Sequence, residues 1–426
     1  MTAVPAPAER STVASVLAAV SSMRITVVLL LLLGVLTFAG TLAQEHLSPI
    51  DAQREYFESG FVVWDTKVPL FGIRNASDAL TVKVPLPGGY TILLLLFVNL
   101  VVGGVVRHRW TKRNLGILVT HLGIGLLLVA GFVKMHWSHQ GHVSLFEGAS
   151  SRTMVSFHEY ELALLRREGD DIVERVVPAT ALEGARHGTV KITDASLPFT
   201  VEVSGWLDSC QPRLAGPMMK PPGPVATDAD GTSVFLESLP YDKDAPGFAG
   251  CRVNVVERVG LAEHSAVLFG LGSGPRQNPR QPYTFTIDGV QWGLDLRHEL
   301  RDLPFEVKLD KFEKTDHPGT ANPRDFSSWV TVREQGGEPR QVHIYMNHPL
   351  RSHDHVFFQA SWGPSPQSGM QGPPFFSVLE VANNPSDAWP KYASYVVLLG
   401  LLWHFVAKLF RFLKSSTNRA SGEAVS

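Results

Sequence analysis

Four long apolar runs, at residues 24–43, 90–106, 115–133 and 392–407, restrict what this 426-residue chain can fold into more than any other feature. A helix rises 1.5 Å per residue, so about 20 apolar residues cross the ~30 Å of hydrocarbon in a bilayer. Each run approaches that length, the second and fourth falling short of it. Four such runs are more than the core of a water-soluble domain uses. The sequence therefore predicts a membrane protein with four transmembrane α-helices, at 24–43, 90–106, 114–134 and 391–410, three N-terminal and one C-terminal. Arg24 followed by "ITVVLLLLLGVLTFAG" also fits a cleaved signal peptide, but the later spans favour a retained first helix.

Lys and Arg set the orientation. The link "RHRWTKR" carries Arg107, Arg109, Lys112 and Arg113, and the tail carries Lys408, Arg411, Lys414 and Arg419. Such clusters stay on the cytoplasmic side. Expected are a cytoplasmic N-terminus (1–23), an extracytoplasmic loop (44–89), a cytoplasmic basic loop (107–113), a large extracytoplasmic domain (135–390) and a cytoplasmic tail (411–426). The membrane is expected to be the inner (cytoplasmic) one. With a net charge of -2 and no basic patch interleaved with aromatics, the lipid bilayer is an expected partner and nucleic acid is not.

The segment at 135–390 reads as β structure. In "PFEVKLDKF", Phe305, Val307 and Leu309 alternate with Glu306, Lys308 and Asp310, the period of a half-buried strand. "VHIYMN", "FTVEVSGW", "CRVNVVERV" and "HVFFQASW" add short apolar runs punctuated by Gly, Pro, Asn and Asp. The expected fold is a large extracytoplasmic all-β domain, a sandwich or partly closed barrel in two sub-lobes. The Pro- and Gly-rich stretch 216–232 reads as a loop or sub-lobe boundary. No phosphate-binding loop, G-x-S-x-G elbow or H-E-x-x-H is present, so no hydrolytic or nucleotide-driven equipment is visible. The chain has two cysteines, Cys210 and Cys251; a disulfide between them and a pair of buried thiols both remain open. Neither CxxCH nor CxxC occurs.

His121 lies inside the third apolar run, in "GILVTHLGIGLLLVAGF". An ionisable side chain within a span faces a partner or cofactor, and a neutral imidazole offers haem iron an axial lone pair. Hydrogen bonding to a neighbouring helix is the plainer alternative. His404, in the fourth run, is expected at a similar depth, roughly 10–12 Å inside the basic boundary, where it either faces His121 or snorkels. His136, His139 and His142, then His348, His353 and His355, have spacings that suit a metal, although polar loop histidines are the commoner outcome.

Several stretches together resemble the ResB (CcsB-type) family of System II cytochrome c biogenesis proteins. They are "GTLAQE" (Gly40, Thr41, Gln44), "FVNL" (Asn99), "HLGIGLLLVAG" (His121) and "GHVSLFEG" (Gly141, Gly148). "DKFEKTDHPGTANPRDFSSWVTV" follows with Phe312, Pro318, Gly319, Thr320 and Pro323, and "MNHPLRSHDHVFFQASW" with Asn347, Pro349, Leu350, Gln359, Ala360 and Ser361. The resemblance implies a membrane subunit that, with a ResC (CcsA-type) partner, moves haem b across the membrane and supports its attachment to apocytochrome c. It implies His121 as a haem axial ligand paired with a histidine of that partner, and a thioredoxin-like thiol reductant as a further partner. The chain would be a non-catalytic subunit of a haem-lyase complex, with no catalytic residue of its own. His404 has no such warrant and stands as a weaker haem-ligand candidate. A b-type electron-transfer protein using His121 and His404, or an extracytoplasmic metal-binding protein, are the alternatives.

Overall fold

The computed structural model describes residues 17, 19–68, 80–106, 111, 114–216, 225–227, 231–240, 247–258, 263–270, 282–320, 322–364 and 375–423. Two compact units emerge: Met1–Trp137 with Pro385–Ser426, and Ser138–Asn384.

The first unit is built on four helices: α1 (Met23–Ala43), α2 (Gly89–Asn99), α3 (Leu115–Trp137) and α4 (Trp389–Glu423). Helix α2 runs directly into a π-helical segment, Leu100–Val106. Among the described residues, α1, α3 and Trp389–Lys414 of α4 are long and apolar enough to cross a membrane, while the second run forms a shorter apolar helix, Gly89–Val105. The chain is thus a membrane protein with three span-length helices and one shorter companion. The basic residues expected to orient it at 107–113 lie outside the described residues.

Between α1 and α2 the chain makes a hairpin of β1 (Phe61–Val68) and β2 (Leu80–Pro87). Val62 and Leu86 of the hairpin join Tyr56, Ile92 and, from α1, Leu29, Leu36 and Ala39 in one apolar cluster. Entry into α2 needs glycine twice. A Cβ on Gly88 or Gly89 would lie 2.2 and 2.4 Å from the carbonyl oxygens of Ser59 and Phe57, well inside contact distance.

Among its described residues, the second unit is all β apart from a short helical turn at 179–186. Its strands are β3 (His139–Phe146), β4 (Ser150–Glu168), β5 (Asp171–Pro178), β6 (Thr189–Ile192), β7 (Phe199–Leu214), β8 (Ala226–Thr227), β9 (Ser233–Ser238), β10 (Phe248–Glu257) and β11 (Glu263–Phe269). The remainder are β12 (Tyr283–Ile287), β13 (Val290–Asp316), β14 (Pro323–Glu334), β15 (Arg340–Ile344), β16 (Leu350–Ser352), β17 (His355–Pro364) and β18 (Phe375–Asn383). One sheet has the order β10-β11-β8-β9-β7-β6, and β10 also pairs β7. The other runs β15-β14-β13-β4-β3-β18-β17-β16, with β12 on β13 and β5 on β4. The ends of this second path, β15 and β16, are joined by the bridge Tyr345↔His348.

Two hydrophobic cores result, and the long strands β4 and β13 serve the first with one half each. Phe199, Val201 and Val203 of β7 pack with Val253 and Val255 of β10, Leu162 and Leu164 of β4, and Leu294 and Leu296 of β13. The other half of β13 supplies Phe305, Val307 and Leu309, the positions read from the alternation, to a core shared with Val143, Val330, Ile344, Phe357 and Leu379. Full burial of side chains of this size contributes about 1.5–3 kcal/mol each. Much of the 216–232 loop lies outside the described residues; Ala226–Thr227 within it forms β8.

Where the cores meet, β4 bulges. His298 of β13 pairs with Tyr160, but Leu300 already pairs with Val155, so residues 156–159 have only Glu299 opposite them. Buried Ser156 holds the bulge, its hydroxyl accepting from the N–H groups of His158 (3.4 Å) and Glu159 (3.1 Å).

Candidate functional site

Helix α3 has two working faces, and their spacing follows from about 100° of rotation per residue. Gly116, Thr120 and Gly123 fall on one face and meet α4 at Ala393, Val397, Gly400 and His404. A Cβ on Gly116 would lie 2.6 Å from the Gly400 carbonyl oxygen, and one on Gly400 would lie 2.5 Å from the Thr120 hydroxyl. Small residues thus bring the two backbones together, as helices in lipid require. Ser386 extends the seam, its hydroxyl donating to the Ala130 carbonyl at 2.9 Å.

His121 leaves α3 on the other side. Its half-buried imidazole lies against Gly104 of the π-helical segment, where a Cβ would stand 2.9 Å from both Cγ and Nδ1. Gly125, one turn on, faces Leu100 of the same segment. π-Helical turns inside helices recur at functional sites. This one is anchored from beneath by buried Asn99, whose amide donates to the Val20 and Ser22 carbonyls (2.5 and 3.3 Å) and accepts from Thr26 (2.7 Å). The "FVNL" asparagine is therefore a tie between α2 and the start of α1.

His404 touches α3 through its own backbone at Gly116, while the His121 ring is turned toward α2. The Nδ1 of His404 is buried without a hydrogen-bond partner.

In the β unit the histidines regroup in a way their spacing conceals. The bulge in β4 brings His158 near His142 of β3 and His298 of β13, with the His298 ring 4.3 Å from Tyr160. Among the described residues no group of three or more His, Cys, Asp or Glu side chains is arranged to hold a metal ion. Burial, helped by His142 and His158, pushes the His298 pKa down to about 4. Burial also lowers His139 and His355. An unfolded chain takes up these protons near pH 6.5 and the folded chain later. The stability they protect is therefore complete above about pH 6.5 and declines as the pH falls toward 4. His298 alone accounts for up to about 3 kcal/mol. Urea unfolding of the chain at pH 7 and pH 4.5 should show this loss, and His298→Leu should reduce the difference.

Cys210 and Cys251 are buried free thiols, and burial pushes both up to about 12. Cys251 joins Val253 and Val255 in the first core, while the Cys210 sulfur lies beside Gly250 and Leu236 on the other face of β10. Side chains on opposite faces of one strand do not meet, so no disulfide joins them.

The motif residues of the β unit occupy turns and core contacts. Gly319 (φ +75°) sits at the β13–β14 tip, where the His317 carbonyl accepts from the Thr320 N–H at 3.0 Å. Asn347 is left-handed (φ +55°) in the turn that delivers Leu350 to the core. Gly148 (φ +84°) turns β3 into β4, and Glu147 accepts from the Phe312 N–H at 2.7 Å where β13 is bulged. Gln359 accepts from the Ser328 hydroxyl at 2.6 Å and donates to the Ser377 hydroxyl at 3.0 Å, joining β14, β17 and β18.

Residues 284–375 match the model of the ResB-like family, which covers β13 to β17 and most of the second core. This part of the β unit is thus similar to the ResB-like family. It is 28% identical over 176 residues to the cytochrome c biogenesis protein CcsB of Synechococcus sp. (strain RCC307), covering 37% of this chain and 38% of that protein. It is 27% identical over 134 residues to protein NrfI of Wolinella succinogenes, covering 31% of this chain and 14% of that one. The chain therefore spans well under half the length of these two relatives.

Proposed function

We propose that this chain is a cytochrome c biogenesis factor, the haem-handling membrane subunit of a complex with a ResC (CcsA-type) protein. It crosses the inner membrane four times, with α2 and its π-helical extension as the second span, and carries its β unit on the extracytoplasmic side. The observation that carries this reading is the packing of His121 on Gly104. An imidazole inside an apolar run, held close to a second helix by a glycine, is a side chain able to ligate haem iron. Haem b, bound without covalent attachment, is the cargo, and apocytochrome c, reduced by a thioredoxin-like protein, is its acceptor. His121 supplies one axial ligand and the partner supplies the other. The name of the CcsB relative supports the biogenesis role. A deletion strain should lose covalent c-type haem while keeping b-type spectra. Restoring the gene with His121→Ala should leave it lost, whereas His404→Ala should recover it. Normal c-type haem in the deletion strain would remove the reading.

A further inference from the structure

The face of α3 that carries His121 continues to the far end of the helix. At about 100° per residue, His121, Gly125, Phe132 and His136 fall within about 60° of one another. Their neighbours on α2 and its extension keep one antiparallel register: His121 on Gly104, Gly125 on Leu100, and His136 on Tyr90. The fifteen residues between the two histidines correspond to about 22 Å along the helix axis.

His136 is set as a metal-binding imidazole is set. Its Nδ1 lies 3.0 Å from the Phe132 carbonyl oxygen. A carbonyl only accepts, so Nδ1 carries the proton and Nε2 presents its lone pair. A backbone carbonyl behind the ring is the usual outer-shell partner of a ligating histidine. Among the described residues, Nε2 meets the Tyr90 hydroxyl, at a long 3.4 Å. The rings of Phe132, Tyr90 and Trp137 surround the exposed imidazole at centroid distances of 4.2, 5.7 and 5.8 Å, forming an apolar rim.

We propose that His136 is a second haem station on α3, taking the iron where the helix leads into the β unit after His121 has held it within the apolar run. This rests on the haem-handling reading above. Tyr90, His136 and Trp137 would also suit an aromatic belt at the membrane surface. A belt needs only rings, whereas a haem station needs the Nε2 lone pair. His136→Phe keeps the first and removes the second.

The test uses the full chain in lipid nanodiscs, titrated with ferric haem and followed by the Soret band and electron paramagnetic resonance. His121→Ala should still bind haem with a histidine-ligated spectrum. Adding His136→Phe, or His136→Gln should the phenylalanine variant not insert, should weaken that binding at least tenfold. Millimolar imidazole should restore it. Tyr90→Phe, which frees Nε2, should bind as tightly as the parent or tighter. If wild type binds haem and His121→Ala alone abolishes it, the second station is wrong and the haem-handling reading stands. If wild type binds none, the second station falls, while the haem-handling reading is judged by the deletion strain.

Discussion

Gly104→Val is expected to empty the proposed haem site while leaving His121 in the sequence. The first atom of any side chain at 104 would stand 2.9 Å from Cγ and Nδ1 of His121 and 3.3 Å from its Cβ. These atoms lie close to the α3 backbone, so rotation of the imidazole about its stem cannot make room without turning the ring away. Co-purified haem should fall at least tenfold, to the level of His121→Ala. Gly131→Val, on the same helix but with nothing within 4 Å, should keep it. Helix content by circular dichroism separates a displaced ring from a lost fold. Equal haem in the Gly104 variant and wild type would mean that His121 does not bind from this pose.

The second large effect lies in the β unit. Glu161 of β4 is almost fully buried opposite Arg297 of β13, which donates to it at 2.8 Å and also pairs with Glu174 of β5. Burial raises the Glu161 pKa more than Arg297 lowers it, so the carboxylate depends on its partner to stay charged. Removing one member of such a pair costs about 3–5 kcal/mol, because the other charge is left without compensation. Arg297→Ala should lower the unfolding free energy of the chain by that amount, read from tryptophan fluorescence in urea. Arg297→Met with Glu161→Leu should recover most of it, since an apolar pair of similar volume needs no desolvation. A loss under about 1 kcal/mol for the single variant would mean that the pair behaves as a surface one.

Much of the architecture could be read from local pattern. Apolar runs of membrane length became helices, and the alternation of Phe305, Val307 and Leu309 became the inner face of β13. Gly148 and Gly319 stand where positive φ is required, and Asn347 is the left-handed residue of its turn. Other features depend on partners distant in sequence. The thiols could not be separated from a disulfide until β10 was seen to send Cys251 and the neighbour of Cys210 to opposite faces. The grouping of His142, His158 and His298 exists only because β4 inserts four residues where β13 has one.

By itself the sequence determined which segments are apolar runs of helix, which alternate as strands, and that one imidazole stands inside the third apolar run. These follow from residue-by-residue hydrophobicity and backbone preference, which act over a turn or a strand. Only the tertiary structure decided which way that imidazole points. Gly116, Thr120, Gly123 and Gly400 let α3 and α4 close against each other, and His121, on the other side of α3, packs onto Gly104. The choice lies in how close two backbones can approach, a property of the pair that neither helix carries alone.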